Sequence, residues 1–236
     1  MGKDTVVTKE MIAKFHDNYV SRGTAKVLER AIRKNGIKAT SEDPAVSQRL
    51  HRVFSHEIKT GKVSNQKHSG RCWSFATLNT LRHQFALTHK VKDFELSQNY
   101  LFFWDRIERA NKFFDNILAT ADRDLHDRLV DYYLKSAESD GGQWANAASI
   151  IEKYGVIQHY VMPDTFNTED TTDIAEVLTY LMKKDALVLR RLVHEEAGNE
   201  EIQETRQRMM SDVYRACAYA FGEPPAKFDL EYRDDD

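Results

Sequence analysis

The segment NQKHSGRCWSFATLNTLRHQF, residues 65–85, holds the side chains of this sequence that are best suited to chemistry. Cys72 is followed by Leu78, Leu81 and Phe85 in helical register, so the pattern predicts a helix that begins at the cysteine. A thiol attacks as its thiolate, and the free N–H groups at a helix N-terminus stabilise negative charge. The position therefore favours Cys72 as a nucleophile, with a backbone N–H as donor to an oxyanion.

A second candidate donor is Gln66, which lies six residues before the cysteine. Its neutral side-chain amide could reach back over the thiol and donate to an oxyanion without neutralising the thiolate. Between the two residues, Ser69-Gly70-Arg71 allows the chain to turn sharply into the helix. The alternative is that Cys72 is a small buried hydrophobic residue, which is the commoner case when a cysteine is judged from local sequence alone.

The rest of the pattern predicts a mostly helical chain with little strand signal. The aromatic residues that follow Ser97, a predicted N-cap, are expected to form core. The stretch 37–65, which contains Pro44, is expected to be extended or a loop. The predicted helices cover about 8–19, 24–34 (ending at Asn35-Gly36), Cys72 to about His89, the segment after Ser97, a segment carrying Trp144, Ala147, Ile151 and Tyr154 that stops at Gly155, 172–197 and 200–221.

Composition and cysteine count exclude several classes of protein. With 41% hydrophobic and 30% charged residues, 10 Gly and 4 Pro in 236 residues, the chain is neither disordered nor fibrous. No apolar run approaches the roughly 18–20 residues of a membrane span, and no basic-then-apolar leader is present. Two cysteines are too few for a disulfide framework. The expectation is a cytoplasmic protein that does not interact with a membrane.

The charge pattern gives little support to nucleic acid as a partner. The formal net charge is −3, although residues 1–60 carry 12 Lys and Arg against 7 Asp and Glu, and the remainder carries 22 against 30. This asymmetry is compatible with a basic arm lying on an acidic body, its own or a neighbour's. No pair of histidines has convincing metal-ligand spacing, so no metal or other cofactor is expected.

The segment Gln-(five residues)-Cys-Trp-Ser-Phe-Ala resembles the active-site segment of papain-like cysteine peptidases. The sequence NQKHSGRCW more closely resembles the branch of this family that contains aminopeptidase C and bleomycin hydrolase. Further matches follow in the same order, so that the resemblance spans about residues 24 to 235: FELSQNYLFFWDRIERAN, DGGQWANAASIIEKYGV, VMPDT and GEPPAKFDLEYRD. The resemblance implies an α+β papain-like fold, of which this chain holds a predominantly α-helical portion without the β-rich lobe.

The resemblance also implies roles for particular residues. Cys72 would be the nucleophile of a cysteine aminopeptidase and Gln66 part of its oxyanion hole. Gly141, Gly142 and Gln143 would bind substrate, since the Gly-Gly backbone edge in this family pairs with an extended peptide. From spacing alone, the two glycines are more simply a turn at the entry of a helix.

The resemblance explains the small number of cysteines as well. Secreted papain-like enzymes have a disulfide that joins the loop before the nucleophile to the loop before the Gly-Gly turn. Matching the motifs places Ser69 and Ser139 at those two positions, where no bridge can form, as suits a reducing compartment.

The implied organisation has three parts. Residues 1–60 would form an N-terminal arm with two short helices, residues 61–165 the helical lobe with the nucleophile, and residues 166–236 the start of a helical insertion. The family also implies peptide substrates and a homohexameric assembly.

A catalytic base is the element that the sequence lacks. Papain-like catalysis needs a histidine, oriented by an asparagine, which follows the cysteine by about 130–150 residues in simple members. That window contains no histidine here. His68 lies on the tight loop before Cys72, and His83 lies about 16 Å along the helix axis from it.

The chain is therefore expected to be the N-terminal half of such an enzyme, inactive alone and completed by a missing C-terminal half. The alternative is a non-catalytic truncated paralogue that acts as an interaction or oligomerisation module. Nucleic-acid binding ranks last.

Overall fold

The computed structural model describes residues 6–50, 52–58, 61–139 and 141–234. The chain divides into two compact units, Met1–Ile58 and Lys59–Asp236. The described part of the first unit has four helices rather than the two predicted for the arm. These are α1 (Lys9–Val20), α2 (Ala25–Asn35), α3 (Ile37–Ser41) and α4 (Pro44–Arg49).

The predicted loop over 37–65 is wrong at its start, where α3 and α4 form. Pro44 occupies the first turn of α4, where its missing N–H costs no hydrogen bond and its fixed φ suits the helix. The Asp43 carboxylate accepts a hydrogen bond from the Ala45 N–H at 2.9 Å and caps this helix. Pro44 therefore begins a helix here.

The described residues of the second unit are mostly helical and contain no β-strand and only two isolated β-bridges. This confirms the prediction of a predominantly helical chain. In the described range, no helix is long and apolar enough to cross a membrane. The helices are α5 (Cys72–His89), α6 (Gln98–Ala119), α7 (Arg128–Lys135), α8 (Trp144–Tyr154), α9 (Phe166–Glu169), α10 (Thr172–His194) and α11 (Asn199–Phe221).

Helix α6 lies at the centre of the second unit. Its N-cap is Ser97, as predicted, and the Ser97 hydroxyl accepts a hydrogen bond from the Tyr100 N–H at 3.0 Å. Its aromatic residues Phe102, Phe103 and Phe114 are fully buried. Burial of one such side chain stabilises the fold by about 1.5–3 kcal/mol, so α6 organises the helices that pack on it.

Two hydrophobic clusters meet at α6. On one side it packs against α5 and α8, through a cluster that includes Trp73, Leu78 and Ala147. On the other side it shares a larger cluster with α10 and α11, which lie in the segment predicted to be the start of a helical insertion. The first turn of α5 is therefore held in place by its packing against α6 and α8.

Candidate active site

Cys72 is the first residue of α5, and its side chain is exposed. The interpretation of this cysteine as a buried hydrophobic residue is wrong. The residues that follow it, Trp73, Ser74 and Phe75, are buried and hold the first turn of α5 against the body of the unit. The thiol therefore lies at the surface, at a helix end whose neighbouring residues are packed against the rest of the unit.

The first turn of α5 also offers hydrogen-bond donors. The N–H groups of Ser74 and Phe75 both donate to the Arg71 carbonyl, at 2.9 and 3.1 Å. Those of Cys72 and Trp73 have no acceptor among the described residues. Free N–H groups at a helix start favour a negative charge beside them, such as a thiolate or an oxyanion.

The loop before Cys72 is anchored by Arg71, whose side chain is 0% exposed. Its guanidinium donates to the Asp164 carboxylate at 2.6 Å and to the Ser69 hydroxyl at 3.0 Å, and lies over the Phe75 ring. The sequence indicated Arg71 only as part of the turn into the helix and did not indicate its ion pair with Asp164, which belongs to the quoted segment VMPDT. Arg71 thus ties the turn before the thiol to a segment 93 residues further along the chain.

Gln66 lies half-buried in the same loop, where its amide Nε2 donates to the Ser69 carbonyl at 2.8 Å. In return the Ser69 hydroxyl donates to the Gln66 carbonyl at 2.6 Å. The amide is thus bonded to the loop backbone, and its second N–H has no acceptor in the described part of the chain. The oxyanion role of Gln66 stays a prediction.

The Gly-Gly turn lies against the loop that precedes the thiol. The Gly141 N–H donates to the Gly70 carbonyl at 3.2 Å. Gly141 has a φ of +86°, which favours glycine, and a Cβ at residue 142 would lie 2.9 Å from the Trp73 indole. The structure therefore brings Gly141 and Gly142 beside the loop and the first turn that carry Cys72.

The same turn leads into α8, so the simpler interpretation of the glycines as a helix entry also agrees with the structure. Gln143 is exposed and occupies the N-cap position of α8. Trp144, predicted with the apolar residues of this helix, is 66% exposed because the buried face of α8 is formed by Ala147 and Ile150.

A buried ionic network lies behind the Gly-Gly turn. The Arg106 guanidinium donates to the carboxylates of Asp105 and Glu138, and all three side chains are almost completely buried. Arg109, one turn further on α6, donates to Asp105 at 2.8 Å. No pattern in the sequence singled out these residues, because charged residues on a helix are ordinarily solvated.

No histidine side chain among the described residues forms a hydrogen bond or ion pair with Cys72. His68 is exposed, and its backbone N–H donates to the Glu169 carbonyl at 2.9 Å. His89 lies at the far end of α5, with its Nδ1 3.1 Å from the Tyr232 hydroxyl. The described residues also contain no group of three or more side chains able to hold a metal ion.

The second cysteine is expected to be protected from alkylation. Cys217 is fully buried, and burial raises the pKa of its thiol to about 12 from a usual 9.0. Its thiolate population at pH 8 is then about a thousand-fold below that of an ordinary thiol. Iodoacetamide should label Cys72 alone in the native protein and both cysteines in urea, as read by peptide mass spectrometry. Equal native labelling rates would contradict this.

Comparison with known proteins places the chain in a family. The model of the Peptidase C1-like family matches residues 6–236. Aminopeptidase E of Lactobacillus helveticus is 51% identical over 230 residues, which are 98% of this chain and 52% of the relative. Aminopeptidase C of Listeria innocua is 44% identical over 232 residues, with the same two shares.

A solved structure shows the same fold. The crystal structure of PepW from Lactobacillus rhamnosis superposes with a TM-score of 0.93 at 43% identity, over 99% of this chain and 52% of the other. The fold is therefore that of this solved structure, and the family that the sequence resemblance predicted is confirmed. The chain is a member of the Peptidase C1-like family. It spans about half the length of the curated relatives that it matches.

Proposed function

We propose that this chain provides the nucleophile-bearing half of a cysteine aminopeptidase. The observation that carries the proposal is the exposed thiol of Cys72 at the first residue of α5, beside backbone N–H groups that have no acceptor among the described residues. The membership of the family and the names of the relatives, which are aminopeptidases, supply the reaction class.

In the proposed reaction the Cys72 thiolate attacks the carbonyl carbon of the first peptide bond of a substrate. The negative charge that develops on the carbonyl oxygen is stabilised by the first-turn N–H groups and by the Gln66 amide. The C–N bond then breaks, and the amine leaves with a proton while the acyl group remains as a thioester. Water hydrolyses the thioester, which releases the N-terminal residue and returns the thiol.

The proton must pass through a general acid and base that the described residues do not place at Cys72. We propose that a histidine and its asparagine come from outside these 236 residues, in the part of the relatives' length that this chain does not match. The β-rich lobe would be found there too. The chain alone is then inactive.

The substrate would be a peptide bound in extended form along Gly141, Gly142 and Gln143. The turn lies against Gly70 and Trp73, close in the chain to the nucleophile, which supports this placement. A cytoplasmic location and a homohexamer of the completed protein belong to the same proposal, since they rest on the family resemblance.

The test is complementation. The chain is assayed alone and together with the remaining half of a relative such as aminopeptidase E, using an aminoacyl-nitroanilide and its N-acetylated analogue. We expect hydrolysis only in the complemented protein and only of the substrate with a free amino group. Absence of hydrolysis in a stably assembled complex would sink the proposal and favour the non-catalytic module instead.

A further inference from the structure

The Arg109 guanidinium joins α6 to the Gly-Gly turn. Its Nη2 donates to the Gly141 carbonyl at 2.5 Å, and its Nη1 donates to the Ser139 hydroxyl at 3.2 Å. Its Nε donates to the Asp105 carboxylate at 2.8 Å. The Arg109 side chain is only 22% exposed and that of Asp105 is 2% exposed. The Arg109 guanidinium is therefore bonded to a buried carboxylate as well as to the turn.

The contact with the Gly141 carbonyl sets the direction of the next N–H. None of the described peptide bonds is cis, and in a trans peptide the C=O and the following N–H point in opposite directions. With the Gly141 oxygen on Arg109, the Gly142 N–H points away from Arg109. Gly142 is exposed, and its N–H has no acceptor among the described residues.

The peptide plane between two adjacent glycines rotates more freely than that between any other pair of residues, because neither glycine has a Cβ. The orientation of that plane must therefore come from its partners. A charge-assisted hydrogen bond from an arginine is roughly twice as strong as a neutral one. On the carbonyl side of this plane, Arg109 is the described residue that supplies such a bond.

We propose that Arg109 is a positioning residue, which fixes the Gly141–Gly142 peptide plane so that the Gly142 N–H is presented to a carbonyl of the peptide substrate. The inference rests on the proposed function, in which this edge pairs with an extended peptide. Arg109 forms no hydrogen bond with Cys72. Its removal is expected to weaken recognition of the substrate backbone and to leave the reactivity of the thiol unchanged.

The test compares two reagents that alkylate Cys72 in the 236-residue chain. Iodoacetamide reports the thiol alone, whereas a dipeptidyl chloromethyl ketone also carries backbone carbonyls that can accept from the Gly142 N–H. Loss of one net hydrogen bond of about 1.4 kcal/mol is a tenfold effect. Arg109→Gln should lower the ratio of the two rates about tenfold, with the iodoacetamide rate unchanged.

The conservative variant and a matched control sharpen the comparison. Arg109→Lys keeps the charge without the fork of donors, so it should recover part of the ratio. Lys112→Gln removes an exposed cation from the same helix, one that makes no bond to the turn, and should leave the ratio at the wild-type value. If the Arg109→Gln protein does not fold, the Arg109→Lys protein provides the test. A ratio of the two alkylation rates equal to that of the wild type in Arg109→Lys would overturn the inference.

A second readout does not depend on reaction at the thiol. In isotope-labelled protein, the amide resonance of Gly142 should shift in Arg109→Gln and stay in place in Lys112→Gln. An unchanged Gly142 resonance together with an unchanged rate ratio overturns the role of Arg109 and leaves the proposed function standing. If the wild-type chain shows no preference for the peptidyl reagent, the proposed binding of substrate along the Gly-Gly turn is wrong. The proposed presentation of the Gly142 N–H to substrate is then wrong as well.

Discussion

Replacement of Cys72 by alanine is expected to abolish peptide hydrolysis in the complemented protein, with kcat/KM at least about 10⁴-fold below wild type. Removal of a nucleophile costs this much or more, because the remaining oxyanion donors cannot form the covalent intermediate. The side chain is exposed, so the free energy of unfolding should change by no more than about 0.5 kcal/mol. Steady-state assays and thermal unfolding of the same preparations measure both quantities.

The control for this experiment is the other cysteine. Cys217→Ala removes a fully buried side chain from the core of α11 and should lower stability while the folded fraction keeps its kcat/KM. The two variants thus separate chemistry from packing. Substantial hydrolysis by the Cys72→Ala protein would show that the reaction does not use this thiol.

Replacement of Asp164 by alanine is expected to destabilise the chain by about 3–5 kcal/mol. It leaves the guanidinium of Arg71 completely buried without its carboxylate, and an uncompensated buried charge is costly. In a chain of this size the midpoint of thermal unfolding should fall by about 6–20 °C. Calorimetry or denaturant titration measures the change.

An exposed ion pair gives the matched control. Arg215 and Asp212 lie 2.6 Å apart on α11, but both side chains are largely exposed. Asp212→Ala should therefore change stability by less than about 1 kcal/mol. The double variant Arg71→Met, Asp164→Ala should be more stable than Asp164→Ala, because no charge remains buried. Equal costs for Asp164→Ala and Asp212→Ala would mean that the buried pair does not hold the loop.

Local sequence was sufficient for features that depend on neighbouring residues. The start of α5 at Cys72 followed from helical periodicity, and the start of α6 followed from the capping chemistry of Ser97. The end of α2 at Gly36 followed from the positive φ that glycine tolerates, which is +81° here. In each case the determining contacts lie within one helical turn.

Features that depend on distant residues could not be predicted in this way. Arg71 is buried, and its partner Asp164 lies 93 residues further along the chain. Nothing in the sequence of the loop before Cys72 indicates this partner. The same is true of Arg109, which meets Gly141 32 residues on. The proximity of the Gly-Gly turn to the Cys72 loop was expected from the family resemblance and not from any local pattern.

The central position of α6 has a consequence for synthesis of the chain. Phe102, Phe103 and Phe114 are covered in part by α10 and α11, and α11 ends at Phe221, about 100 residues after the end of α6. At about 5–20 residues per second, a ribosome takes roughly 5–20 s to make that stretch. During this interval the nascent chain carries an aromatic helix face whose cover has not yet been translated. A chaperone that shields apolar segments would find its target in α6, and release would become possible only when Phe221 has emerged.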